Sequence, residues 1–212
     1  LLEIAEHDPS VVALDADLIL DTGLIPFRER FPDRFIECGI AEQDMVSQAG
    51  GMALLGMLPV VHSFACFLST RPNEQIYNNA TEGTKIVYVG TLAGVVPGGP
   101  GHSHQSVRDI SALGAMPDMV LVEPCCEVEV AATVSFCLET NKSSSYIRLT
   151  SIPWEVPFEL PVDYRLELGK GVTIAEGSDA VLFAYGPVML ANAWHARKQL
   201  LDEHRISLKI IN

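Results

Sequence analysis

The sequence sets out several side chains at spacings that chemistry could use. The segment Phe35-Ile36-Glu37-Cys38-Gly39-Ile40-Ala41-Glu42-Gln43-Asp44 runs from strand-forming residues through a glycine into a helix start. Glu42 then lies in the first helical turn, where the helix dipole favours an ionised carboxylate. An ordinary helix-start acid would look the same. Phe64 and Phe67 stand three apart, and an aromatic ring offers a flat, apolar partner either to a heteroaromatic ring or to a protein core. His102 and His104 sit in Pro97-Gly98-Gly99-Pro100-Gly101-His102-Ser103-His104-Gln105. Glycines let backbone pass close to a ligand, and imidazoles titrate near neutral pH. A His-x-His pair also suits a metal, but no third ligand stands nearby in sequence, so no metal site is assigned. Arg148 suits a phosphate or carboxylate, or a surface salt bridge.

These residues need elements to position them. Six β-rich runs, several of them continuous and apolar, mark strands: Val11–Leu14, Phe35–Cys38, Pro59–His62, Lys85–Val89, Met119–Val122 and Ser145–Leu149. Such runs are the pattern of parallel strands covered on both faces. Between them, residues 41–55 carry Ala41, Met45, Val46, Ala49, Met52 and Ala53 on one helical face, and residues 127–139 repeat the pattern. Strand, helix, strand in sequence predicts an α/β fold with a parallel sheet of about six strands and helices on both faces. Pro153, Pro157 and Pro161 then break the periodicity. A strand at 179–185, a helix at 188–203 and a strand at 207–211 follow as one partial α/β unit, which needs neighbours to cover its sheet. The expected division is one domain over 1–155, a linker over 156–170, and the start of a second domain over 171–212.

With 212 residues the chain is long enough to bury a sizeable core. Fourteen Lys and Arg face 27 Asp and Glu, and the net charge of −13 argues against nucleic acid or an anionic membrane surface as the main partner. Apolar residues at 48% and charged ones at 19% exclude a disordered chain. No apolar run reaches the roughly 18 residues of a membrane span. The opening Leu1-Leu2-Glu3-Ile4-Ala5-Glu6 has no basic region or cleavage pattern, so no signal peptide is expected. The five cysteines form no Cys-x-x-Cys pair and read as reduced core thiols of a cytoplasmic protein.

Gly39-Ile40-Ala41-Glu42-Gln43, followed by Ala49-Gly50-Gly51-Met52-Ala53-Leu54, resembles the transketolase family of thiamine-diphosphate enzymes. The likeness continues in order through Asp15-Ala16-Asp17-Leu18, Phe31-Pro32-Asp33-Arg34, Pro59 to Phe67, Glu74-Gln75-Ile76, His104-Gln105, Pro117 to Pro124, and Ile147-Arg148-Leu149. It covers about residues 10–155, and the unit after the linker looks like the beginning of the family's C-terminal domain. The resemblance implies a pyrimidine-binding domain in which the Glu42 carboxyl, expected to be buried, hydrogen-bonds the ring nitrogen of the cofactor's aminopyrimidine. It implies cofactor contacts from Glu42, Phe64, Phe67, Asp17 and Arg71, catalytic roles for Glu42, His104 and His102, and substrate contacts from His104 and Arg148.

The chain also departs from the family. Thr70 stands where transketolases often have Tyr. Arg71 lies one residue away from an Arg of the deoxyxylulose-phosphate synthases. Gly99 replaces an Asp, with two residues inserted before His104. No Gly-Asp-Gly occurs, so the diphosphate and Mg²⁺ ligands are expected from another domain or a separate subunit. The implied activity is transfer of two-carbon ketol units between sugar phosphates. The alternatives are the β subunit of a 2-oxo-acid dehydrogenase decarboxylating component, a deoxyxylulose-phosphate-synthase-like enzyme, or a non-catalytic binding module. The small residues Ala49, Gly50, Gly51 and Ala53 lead us to expect a homodimer through the Glu42 helix.

Overall fold

The computed structural model describes residues 1–212, which form two compact units: Leu1–Val122 with Val134–Ile152, and Glu123–Thr133 with Pro153–Asn212. The first unit holds a six-stranded sheet of β1 (Val11–Asp15), β2 (Phe35–Glu37), β3 (Leu58–Phe64), β4 (Val87–Thr91), β5 (Val120–Val122) and β6 (Ser145–Arg148). The order is β2-β1-β3-β4-β6-β5 and every pairing is parallel. The expected parallel α/β sheet is therefore present. β1 and β4 are buried along their whole length, which is why their sequences are continuous apolar runs.

Two apolar clusters cover the sheet. On one face Val12, Leu14, Val61, Tyr88 and Tyr146 meet Met45, Val46 and Ala49 of α4 (Glu42–Leu54), with Leu68 of α5 (Ala65–Leu68) and Ile76 of α6 (Asn73–Thr81). On the other, Val11, Ala13, Val60, Val87, Val89 and Ile147 meet Ala5 of the helix Leu2–His7 and Phe27 of the helix Ile25–Arg30. A wide helical turn at Phe136–Thr140 adds Cys137 and Leu138 to this second cluster. The small residues of α4 have an internal use: a methyl at Gly50 would overlap the Asn79 amide of α6, which donates to the Val46 carbonyl at 3.0 Å. The gap at Gly50 is thus taken up by a helix of the same chain. Gly51 faces open space.

The second unit contains a three-stranded sheet ordered β7-β9-β8, where β7 is Thr173–Ala175, β8 Ala180–Phe183 and β9 Leu208–Ile211. β8 and β9 are parallel and joined through the helix Pro187–His204; β7 adds an antiparallel edge that periodicity did not show. Residues 123–133, expected within the first domain, pack here. Cys125 joins an apolar cluster with Leu190 and Ile210, and the buried Glu129 accepts from the Cys125 N–H at 2.7 Å, the Tyr164 hydroxyl at 2.6 Å and the Asn212 amide at 2.9 Å. Burial and the Glu129 carboxylate push the Tyr164 phenol pKa up. The proline-rich stretch is not a bare linker, because Phe158 and Leu160 lie against the same cluster.

One buried group in the first unit is ill-matched to its surroundings. His62 shares a face of β3 with Val60, and neither ring nitrogen has a hydrogen-bond partner. Burial lowers its pKa from 6.5 to about 3. Between those values the unfolded chain binds a proton that the folded chain does not. Stability therefore falls as pH drops from 6.5 toward 3, by about 1.4 kcal/mol per pH unit. Between pH 7 and pH 5 the wild type should lose about 2 kcal/mol more than His62→Val in urea unfolding. Equal losses in the two proteins would show that His62 is not the group responsible.

Candidate functional site

In open parallel sheets, ligands bind beyond the carboxyl ends of the strands, where the chain changes the direction in which it adds strands. Here β2 lies on one side of β1 and β3 on the other, so that point falls between β1 and β3. The segments leaving these carboxyl ends carry Asp17 after β1, Glu42 after β2, and Phe64 and Phe67 at the end of β3 and in α5. Gly39 makes the turn into α4 with φ +67°, a conformation open to glycine. Glu37 braces the two turns: one of its oxygens accepts from the Asp17 N–H at 2.8 Å and the Gly39 N–H at 2.9 Å. Asp15, whose pKa burial raises, accepts from the Leu18 N–H at 2.6 Å and the Thr22 hydroxyl at 2.7 Å.

Glu42 is only 4% exposed and is paired with the Arg71 guanidinium. That guanidinium lies over the Phe67 ring, 3.7 Å from its centroid, and the Gln43 side chain holds the Arg71 carbonyl at 3.1 Å. The Phe64 and Phe67 rings are 5.8 Å apart by centroid. The His104 ring presents an edge to both, at 6.0 Å and 5.2 Å. The structure thus brings together Glu42, Arg71, Phe64, Phe67 and His104. A buried carboxylate oxygen beside half-exposed phenyl rings suits a flat ring that bears nitrogen, and the Arg71 guanidinium shows that a planar N–H donor fits there.

The loop that delivers His104 is closed at its base. Gly94 and Ser106 exchange backbone hydrogen bonds at 2.9 and 3.0 Å, and the Gln105 side chain donates to the carbonyls of Val95 and Gly98. Beneath them Asp109, 1% exposed, accepts from the Tyr146 hydroxyl at 2.9 Å and Arg148 Nε at 2.7 Å, while Arg148 Nη2 donates to the Ser106 carbonyl at 3.4 Å. Tyr146 and Arg148 alternate on β6, so both reach the same face.

The remaining sequence candidates lie outside the cluster. His102 is exposed, and no third His, Cys, Asp or Glu joins it and His104 as a metal-ligating group. Asp17 is exposed at φ +60°, held through its N–H. Arg148, read from sequence as a substrate contact, is here bonded to Asp109 and Ser106 and anchors the loop. Sequence reasoning passed over Asp109, and gave no bracing role to Glu37 or Gln43 within the quoted motif. Asp109 partners residues 37 and 39 positions away, a pairing that no local pattern marks.

The family described as the transketolase pyrimidine-binding domain matches residues 1–152. The chain belongs to this family. Its transketolase-type relatives include the putative transketolase C-terminal section of Methanocaldococcus jannaschii, 32% identical over all of this chain and 66% of that protein. The 6-deoxy-6-sulfo-D-fructose transketolase subunit SqwH of Clostridium sp. (strain MSTE9) is 33% identical over all of this chain and 65% of that protein. The 1-deoxy-D-xylulose-5-phosphate synthase of Synechococcus sp. (strain JA-3-3Ab) is 32% identical, and the chain spans about a third (32%) of its length. A split-gene transketolase solved as an inactive β4 tetramer superposes with a TM-score of 0.85 at 31% identity, over 99% of this chain and 67% of that one. The transketolase of Campylobacter jejuni, at TM-score 0.87 and 19% identity over 98% of this chain and 33% of that one, shares the fold.

Within this transketolase pyrimidine-domain fold, the Asp109 network should control the His104 loop. Asp109→Ala removes the acceptor shared by Tyr146 and Arg148 and should cost about 3 kcal/mol. Amide exchange at Gly94 and Ser106 should accelerate while β1 and β3 stay protected. Unchanged exchange at those two amides would remove Asp109 from the anchor.

Proposed function

We propose that this chain supplies the pyrimidine half of a thiamine-diphosphate site in an enzyme that transfers two-carbon ketol units between sugar phosphates. The observation that carries the reading is the juxtaposition of the buried Glu42 carboxylate with Phe64 and Phe67 at the carboxyl edge of the sheet. The relatives named as a transketolase subunit and as a transketolase C-terminal section support it. When bound, thiamine diphosphate would supply the carbanion chemistry at its thiazolium ring that ketol transfer needs. Glu42 would hold the aminopyrimidine ring through a hydrogen bond from its buried carboxyl group to the ring nitrogen. Phe64 and Phe67 offer flat faces that orient the ring and exclude water. His104, pointing at both rings from the Gly-rich loop, is placed to hold or move a proton at a substrate hydroxyl. The diphosphate and Mg²⁺ are bound by another domain or a separate subunit, with the chain acting in a multi-subunit, cytoplasmic assembly.

Glu42→Gln in the complete enzyme should slow proton exchange at the thiazolium carbon by about 100- to 10,000-fold, the usual size of acid–base assistance. The amide keeps the shape of the side chain but has no acidic proton to share. Exchange at the wild-type rate with cofactor still bound would show that Glu42 is not the activating carboxyl.

A further inference from the structure

Arg71 holds two contacts at once. Its guanidinium donates to Glu42 Oε1 and covers the face of Phe67. If the reading above is right, these are the oxygen and the ring face that an aminopyrimidine takes. A guanidinium is flat, delocalised, rich in N–H donors and able to stack on aromatic rings. It therefore satisfies the same features that recognise the cofactor's ring. The two partners also differ in freedom. The Arg71 side chain is 40% exposed and the Glu42 side chain 4%, so the arginine has a way out into solvent and the carboxylate does not. The Gln43 bond fixes the Arg71 backbone and leaves its side chain to move.

We propose that Arg71 is a built-in competitor for the pyrimidine. In the free protein its guanidinium occupies the Glu42 oxygen and the Phe67 face, and it must swing outward before the ring can seat. The pair keeps the buried carboxylate solvated by a donor while no ligand is present. It also withholds Glu42 Oε1 from any ring nitrogen until a ring has displaced the arginine. This inference rests on the proposed thiamine-diphosphate reading and adds to it a device that sets when the site is available.

The test uses the complete enzyme, this chain together with the part that binds diphosphate, titrated with thiamine diphosphate at saturating Mg²⁺ and followed by heat or intrinsic fluorescence. Arg71→Gln should bind the cofactor about tenfold more tightly than wild type, the combined size of one half-exposed ion pair and one cation–π contact. Arg71→Lys keeps length and charge but not the flat fork, so it should fold like the wild type and gain less than Arg71→Gln. In a Glu42→Gln background, the gain from removing Arg71 should shrink to about threefold, what release of the Phe67 face alone leaves. A merely structural role for Arg71 would not produce that coupling. If the wild type binds the cofactor and Arg71→Gln binds no more tightly, or if the gain is the same in both backgrounds, the competition is absent while the proposed function stands. If the wild type does not bind thiamine diphosphate at all, the functional reading fails and this inference with it.

Discussion

Moving a carboxylate out of water costs several kcal/mol unless a donor meets it. Glu42, at the head of α4, is nearly sealed from solvent, and much of the local architecture serves to give it a partner. Arg71 reaches it from the turn between α5 and α6, across the face of Phe67. The position of that turn depends on β3 ending at Phe64, and the position of α4 depends on Gly39 turning the chain after β2. β2 and β3 flank β1 in the sheet, so the parallel order brings carboxylate and aromatic rings to one edge. A different strand order would leave the same residues without a shared site.

A second buried charge fixes the other wall. Asp109 opens the short helix Asp109–Leu113 beneath the His104 loop, and β6 sends Tyr146 and Arg148 to meet it. Gly90 on β4 is required by the same network, since a methyl there would overlap the Tyr146 ring. The loop itself is rich in glycine and proline and has little helix or strand of its own to hold it. Its placement over Phe64 and Phe67 is therefore borrowed from hydrogen bonds at its base, a common arrangement for binding loops on a rigid scaffold. Arg148 shows how residue type underdetermines role: a guanidinium suits a substrate phosphate equally well, and only its neighbours reveal that it braces the loop.

The sheet was legible because its signal is periodic and local. Six β-rich runs became six strands, with boundaries shifted by a residue or two where hydrogen-bond pairing rather than composition sets the end. The helix from Glu42 was legible from its apolar face and its glycine turn. What escaped was short or non-local. β7 is three residues long and is defined by its pairing with β9. The assignment of residues 123–133 to the second unit follows from Glu129 finding Tyr164 and Asn212, 35 and 83 residues later. Gly50 read as an invitation to a second helix copy, whereas Asn79 of the same chain uses the gap, because a small residue marks close approach without naming what approaches. For the site, family likeness pointed to Glu42, Phe64, Phe67 and His104 together. Arg71 as the partner of Glu42 was invisible, since the two are 29 residues apart and meet only through the turn after α5.

Three acids cluster in sequence around the start of α4, and their environments separate them. Asp44 is exposed and accepts from the Gln48 side chain one turn on, at 2.6 Å. Glu37 is exposed and spends an oxygen on two backbone amides. Both are solvated or satisfied locally, so neither has a reason to take up a ligand. Glu42 alone is buried, beside two aromatic rings, with Oε1 held by the Arg71 guanidinium. Burial raises the worth of each hydrogen bond it makes, because fewer water molecules compete for it. It also makes any state without a partner costly. A helix-start acid thus becomes a candidate for chemistry through its surroundings, not its residue type.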